Sequence, residues 1–419
     1  MARHRSVDVL IVGAGPAGCA AALTLAQAGV ATTLLEGVGP TGDRGELLAP
    51  GALPVLDELG MPDLGSALRG ALACRGITLA TADASRSTRL PFRGPGGWLV
   101  DHSRLEGELR SAVLRTGAEI LPELVATTPT WEGTRLTGVL ARAADGRDEA
   151  ITCKALLDAS GRKAFLSNRM GWAFPYPRHR RAMAWASYSG VTLPDWAPRD
   201  HQLLVAMLPG FLWLTPLDSG RVTVGAVLDR RTWEECGASA ERLLGKALGA
   251  SPPVDWLLAK ADESGPTNAI ASVAFRVLDV AGHGYCLIGD AAGYLDPVVP
   301  HGLLAALLTG RSAGLDVADA LLHRGRVTAV DFGPTVTLTR MLQRQQIGLV
   351  HELYGKDLLA VLLAGHQHLG ARAAFVELVA GHVQRPRRWR RLAHAWMLTE
   401  LAELQRLTRH LGSPIFEPI

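Results

Sequence analysis

The stretch Val9-Leu10-Ile11-Val12-Gly13-Ala14-Gly15-Pro16-Ala17-Gly18 restricts this chain more than any other. Apolar residues of strand character run straight into G-x-G-x-x-G, and an alanine-rich segment follows that reads as a helix. Strand, tight turn and helix in that order begin a βαβ unit, which implies a parallel sheet with helices packed on it. Gly13 and Gly15 remove the side chains that would keep a phosphate from the amides at the helix N-terminus. Pro16 and Ala17 lie between them and Gly18, which lets the helix approach the strand. Glu36 closes the next strand, 18 residues beyond Gly18, where a carboxylate accepts from ribose hydroxyls. The pattern predicts a cradle for a dinucleotide pyrophosphate, and the acid at position 36 opposes a 2′-phosphate in it.

Composition sets the outer bounds. With 419 residues, 48% of them hydrophobic and 20% charged, the chain can bury a large core made of two or three interleaved units. A net charge of +3 offers no argument for nucleic acid. Cys19, Cys74, Cys153, Cys236 and Cys286 show no paired spacing and read as reduced packing residues of a cytoplasmic protein. Met1 to Ser6 carries no leader pattern, and no run of 18 apolar residues suggests a membrane span.

Further along, Gly39 to Gly45 is a glycine-rich loop carrying Arg44, followed by an apolar helix ending near Gly60. Ala73 to Phe92 reads as a pair of strands. His102 to Gly117 reads as a helix whose inward stripe is Leu105, Leu109, Val113 and Leu114. Arg104 in its first turn either holds phosphate oxygens or is a solvated charge; position favours phosphate. Ala155 to Arg162, with the sequence ALLDASGR, is a buried strand and turn. Cys286 to Gly293, CLIGDAAG, is a second glycine-marked turn about 270 residues after the first.

GAGPAG, DASGR and IGDAAGYLDPVVPHGL in this order resemble the flavoprotein superfamily of aromatic hydroxylases, geranylgeranyl reductases, flavin-dependent halogenases and tryptophan-quinone-maturing monooxygenases. The resemblance covers about the first 320 residues. It implies an α/β fold: a Rossmann-like FAD-binding domain interleaved with an antiparallel substrate sheet, plus a C-terminal helical region. The implied FAD-binding segments are 1–75, 101–164 and 281–330. The substrate sheet takes 76–100 and 165–280, and the helices 331–419. FAD is the implied cofactor. Asp290 would meet its ribityl or pyrophosphate part, and the segment from Pro297 to Leu303 would pass beside the isoalloxazine.

Within the superfamily, DASG in the middle crossing is similar to the halogenase, reductase and quinone-maturation branches. The run Phe211-Leu212-Trp213-Leu214-Thr215-Pro216 partly matches the W-x-W-x-I-P region of halogenases, with Phe211 and Thr215 replacing two of the expected residues. Trp213 is either a pocket wall or core. Halogenases also need a tunnel lysine, and this chain has none before Lys154; a guanidinium does not replace that amine. Halogenation is therefore the runner-up.

His301 is placed either to transfer a proton near the flavin or to cap the next helix. The amides of Gly302 and Leu303, at that helix's start, suit charge developing on the flavin. Gly282-His283-Gly284 lacks a third glycine, so no nicotinamide domain is visible, and electrons come from transient NAD(P)H or a separate flavin reductase. Arg385 to Arg391 is a solvated helix start or a dock for an acidic partner or a membrane surface. The reading is an FAD-dependent monooxygenase that hydroxylates an aromatic small molecule, or a tryptophan borne on a peptide or protein, through a C4a-hydroperoxide. A halogenase and a prenyl double-bond reductase are the alternatives; a flavoprotein scaffold without turnover is a third.

Overall fold

The computed structural model describes residues 3–37, 44–207, 210–217, 220–355, 357–364, 370–381, 402–403 and 405–406. The basic tract Arg385 to Arg391 and most of the glycine-rich loop before Arg44 lie outside them.

The motif strand Arg3–Val12 is the centre of a parallel sheet in the order Tyr285–Leu287, Asp148–Asp158, Arg3–Val12, Thr32–Glu36, Glu119–Pro122. Val12 stands level with both Asp158 and Leu35, and Asp158 with Leu287. The register therefore brings Gly13, Glu36, Ala159 and Ile288 to one carboxyl edge, the side on which parallel sheets bind ligands. The helices Pro16–Gln27, His102–Arg115 and Gly302–Arg324 bury one face through Leu23, Leu105, Leu109 and Leu307. An antiparallel hairpin, Leu124–Glu132 with Arg135–Ala143, curls from Asp148–Asp158 over the other face. Burial on both faces is why the strands read as continuous apolar runs.

A second sheet runs Gly293–Tyr294, Asn268–Val277, Ala173–Ser189, Val222–Asp229, Gly210–Pro216, His201–Met207, Gly76–Thr81, Ser87–Pro91. Its neighbours are antiparallel except where His201–Met207 meets Gly76–Thr81 in parallel register. Those two strands come from segments separated by the second piece of the nucleotide unit, so no hairpin dictates their direction. Side chains alternate strictly between faces. Ala182, Ala184, Leu203, Val205, Leu212, Leu214 and Val224 pack with Leu243 and Leu244 of the helix Ala240–Gly249. Leu79, Leu204, Ala206 and Phe211 face the opposite way, onto Leu295, Val298 and Val299 and the C-terminal helices.

Those C-terminal helices are Gly333–Gly355, Asp357–Leu363 and Ala371–Val379. Every residue of Asp357–Leu363 is buried, in keeping with a leucine density too high for one exposed face. All five cysteines are free and buried. No helix among the described residues is long and apolar enough to cross a membrane.

Candidate cofactor cradle and facing sheet

The three glycines of the motif have separate tasks. Gly13 has φ +113, and a Cβ there would stand 2.3 Å from the carbonyl oxygen of Ala159, so the close passage of the ALLDASGR crossing excludes any side chain. A Cβ on Gly18 would stand 2.0 Å from the carbonyl oxygen of Gly13. Gly15 is open: its nearest neighbour would be Glu106 Oε1, at 3.6 Å. Pro16 is the first residue of the helix and Ala17 is buried in its first turn; among the described residues no side chain caps this N-terminus, and no acid sits in its first turn. The end of the helix dipole is left for an anion.

Two aspartates reach this edge with different fates. Asp158 is consumed: Oδ1 accepts from the amide of Ser160 at 3.0 Å and its hydroxyl at 2.6 Å, and Oδ2 accepts from the amide of Leu166 at 2.8 Å. Asp290, in the turn Gly289–Ala292, has a carboxylate with no hydrogen bond or ion pair among the described residues. Burial pushes its pKa up, against the opposing charges of Arg162 and Arg44. A partly buried, unpartnered carboxylate opposite an open helix N-terminus fits hydroxyl donors on a ligand that spans both.

Between these ends runs a ladder of alternating charges, each with 19–32% of its side chain exposed. Arg44 Nη2 lies 3.4 Å from Glu46 Oε2. Glu46 Oε2 lies 2.5 Å from His102 Nδ1, and His102 Nε2 lies 3.2 Å from Glu106 Oε1. Arg110 joins Glu106, at 3.5 Å, to Glu36, at 3.3 Å. Burial alone would raise Glu46, but the charges of His102 and Arg44 outweigh it and bring the carboxyl down to about 2. Burial would lower His102, yet Glu46 and Glu106 carry it up to about 9.

Arg104 departs from its expected part. It lies about 200° around the helix from His102, and its exposed guanidinium donates to the carbonyl of Arg69 at 2.5 Å. His102, Glu106 and Arg110 occupy the inner face instead. Their i, i+4, i+8 spacing is visible in the sequence; their partner Glu46, 56 residues away, is not.

The facing sheet approaches through the segment 295–302. Asp296 is buried; its Oδ1 accepts from the amide of Val298 at 2.9 Å and from the hydroxyl of Tyr354 at 3.2 Å. Burial lifts this carboxyl to about 6. Arg181 stacks its guanidinium 3.8 Å above the Tyr354 ring, and Phe211 meets the same ring edge-on at 5.1 Å. Trp213, Gly225 and Trp185 stand in one cross-strand row, with the indole of Trp213 lying on Gly225. Pro297 is half-buried. His301 Nε2 donates to the carbonyl of Leu378 at 2.8 Å, and burial holds its pKa low. Its side chain does not cap the helix Gly302–Arg324; it ties this turn to the helix Ala371–Val379. A Cβ on Gly302 would meet nothing within 4 Å, while Leu303 is buried against the first sheet's helices.

This fold and cradle define an FAD-dependent oxidoreductase. The chain belongs to the FAD binding domain family, whose model matches residues 6–307, and FAD is its cofactor. It is 25% identical over 337 residues to a 1H-pyrrole-2-carbonyl-(peptidyl-carrier protein) brominase of Pseudoalteromonas luteoviolacea, covering 77% of this chain and 78% of that protein. It is 29% identical over 361 residues to a menaquinone reductase of Mycobacterium tuberculosis, covering 80% and 83%. The solved structure of the flavin-dependent brominase Bmp2 superposes with a TM-score of 0.83 at 20% identity, over 95% of this chain and 99% of that one.

Proposed function

We propose that this flavoenzyme is a monooxygenase that hydroxylates an electron-rich aromatic ring, free or carried on a peptide or protein. The observation that carries this reading is the sheet face turned toward residues 295–302. It presents Trp185, Phe211 and Trp213, and none of the sheet's strands contains a lysine. Aromatic walls orient a planar ring. The missing amine disfavours transfer of an oxidised halide.

In this reading Gly13, Gly15, Pro16, Ala17 and Gly18 take the pyrophosphate, Glu36 the adenosine ribose, and Asp290 the ribityl hydroxyls, with Arg44 nearby. Pro297, Gly302 and Leu303 border the isoalloxazine. FAD, when bound and reduced, supplies the oxygen-activating chemistry. Trp213 holds the ring in place, and the C-terminal helices keep water from it. His301, neutral and donating from Nε2, leaves Nδ1 to accept a proton from the ring's O–H or N–H. Electrons come from NAD(P)H or a separate flavin reductase. The buried free thiols suit the reducing cytoplasm.

Halogenation is the second reading, favoured by the brominase relative, whose substrate rides on a carrier protein. One experiment separates them. The holoenzyme is supplied with a flavin reductase, NADH, oxygen, bromide and an aromatic panel that includes carrier-bound pyrrole. Mass spectrometry that finds one added oxygen supports the proposal. Bromine in place of hydrogen overturns it, as does reduction of menaquinone in a parallel incubation without oxygen, the activity named for the menaquinone reductase relative.

A further inference from the structure

The ring of His102 has a carboxylate at each nitrogen: Glu46 at Nδ1, 2.5 Å, and Glu106 at Nε2, 3.2 Å. The two carboxylates favour the charged, doubly protonated ring, and they outweigh the opposing charge of Arg44, whose Nη2 lies 3.4 Å from both ring nitrogens. It is the first residue of the helix His102–Arg115, and Asp101, just before it, accepts from the amides of Ser103 and Arg104, fixing where the ring projects. Glu106 Oε1, the atom that meets Nε2, is also the side-chain atom nearest the open position of Gly15. The cation is thus one carboxylate removed from the place where the motif exposes its helix N-terminus.

We propose that His102 is the titratable cation of the cofactor site, and that the protein's grip on the FAD pyrophosphate depends on the proton this histidine carries. The proposal rests on FAD occupying the Gly13–Gly18 cradle.

The surrounding charges decide the sign. Arg44 precedes the strand Gly45–Leu48, which supplies Glu46. Glu106 and Arg110 share the histidine's helix, Glu36 ends Thr32–Glu36, and Asp290, on which Arg162 also acts, faces from the turn Gly289–Ala292. With His102 charged, Arg44, His102 and Arg110 balance Glu36, Glu46 and Glu106. When its proton leaves, the ladder gains one net negative charge beside a doubly negative pyrophosphate. Glu46 and Glu106 are both held below the ordinary carboxylate range, so they stay ionised while the histidine titrates. His102 is raised to about 9, so the grip is present at neutral pH and is lost as pH climbs through that value.

The test is FAD affinity of the full-length apoprotein, read by flavin fluorescence from neutral to alkaline pH, for wild type, His102→Arg, His102→Gln and Glu46→Gln. Wild-type binding should weaken about tenfold across the alkaline range, the effect of one added net negative charge near the pyrophosphate. His102→Arg keeps the charge and should stay tight without that slope. His102→Gln should bind about tenfold more weakly at neutral pH, also without the slope, and Glu46→Gln should shift the loss to lower pH. The arginine variant also controls for titration of the flavin itself. Parallel profiles for wild type and His102→Arg, or a glutamine variant as tight as wild type, overturn the proposal while leaving FAD as the cofactor. No binding by wild type at any pH overturns both.

Discussion

Trp213 lies so directly on Gly225 that a methyl group built on the glycine would stand 2.0 Å from the indole Cζ2. The two are cross-strand partners, and Trp185 flanks the same glycine from the other side. The absence of a side chain at one position therefore sets where the large ring at the other must sit.

Gly225→Ala should displace the indole toward residues 295–302 and destabilise the fold by about 1–3 kcal/mol, the usual cost of overpacking. Pairing it with Trp213→Phe should recover most of that loss. Denaturant unfolding of the two single variants and the double variant measures the coupling; additive effects would show that the contact carries no energy.

The motif glycines should separate in their effects. Gly13→Ala meets the Ala159 backbone at 2.3 Å with φ +113, so the apoprotein should lose several kcal/mol or fail to fold. Gly15 has φ −80 and open space, so Gly15→Ala should leave the apoprotein within about 1 kcal/mol of wild type. Its FAD affinity should nonetheless fall at least about tenfold. Thermal melts of apoprotein beside FAD titrations decide it.

Arg104 and Arg110 should also part company. Arg104→Ala removes an exposed contact with the Arg69 carbonyl and should change FAD affinity by less than about twofold. Arg110→Ala leaves Glu36 and Glu106 without their shared cation and should weaken FAD about tenfold. Equal losses in the two variants would return Arg104 to the cofactor site.

Asp296 predicts a pH-dependent stability. Its carboxyl ionises near 6 in the folded chain and from its ordinary value of 3.8 when unfolded, so the unfolded state releases the proton first. Its contribution to stability therefore falls as pH rises from about 4 to about 6 and is flat above, by roughly 2–3 kcal/mol in all. Asp296→Asn lacks that titration. The stability difference between wild type and this variant, from denaturant unfolding at pH 4 and pH 7, should move by that amount in the variant's favour; a constant difference would refute the shift.

Residues 9–18 and the later CLIGDAAG turn carried the fold class, the cofactor and the superfamily without any coordinates. Their information is local: a strand, a turn too tight for side chains and a helix follow one another within reach of their own backbone hydrogen bonds. The alternation of Phe211, Trp213 and Thr215 was equally readable, because side chains on a strand repeat every second residue.

Which neighbour a side chain meets was decided elsewhere. Arg104 and His102 are two positions apart on one helix, and only the packing of Leu105 and Leu109 against the sheet turns the histidine inward and the arginine out. Asp158 and Asp290 both follow apolar strands, yet the turn after Asp158 takes up its oxygens while those of Asp290 meet no donor among the described residues. His301 is bound to a carbonyl 77 residues further along. Periodicity and turn chemistry act over a few residues and are written in the order of the chain. Partners such as Glu46 with His102, or His301 with Leu378, exist only once burial has brought distant segments together, so their chemistry belongs to the tertiary structure.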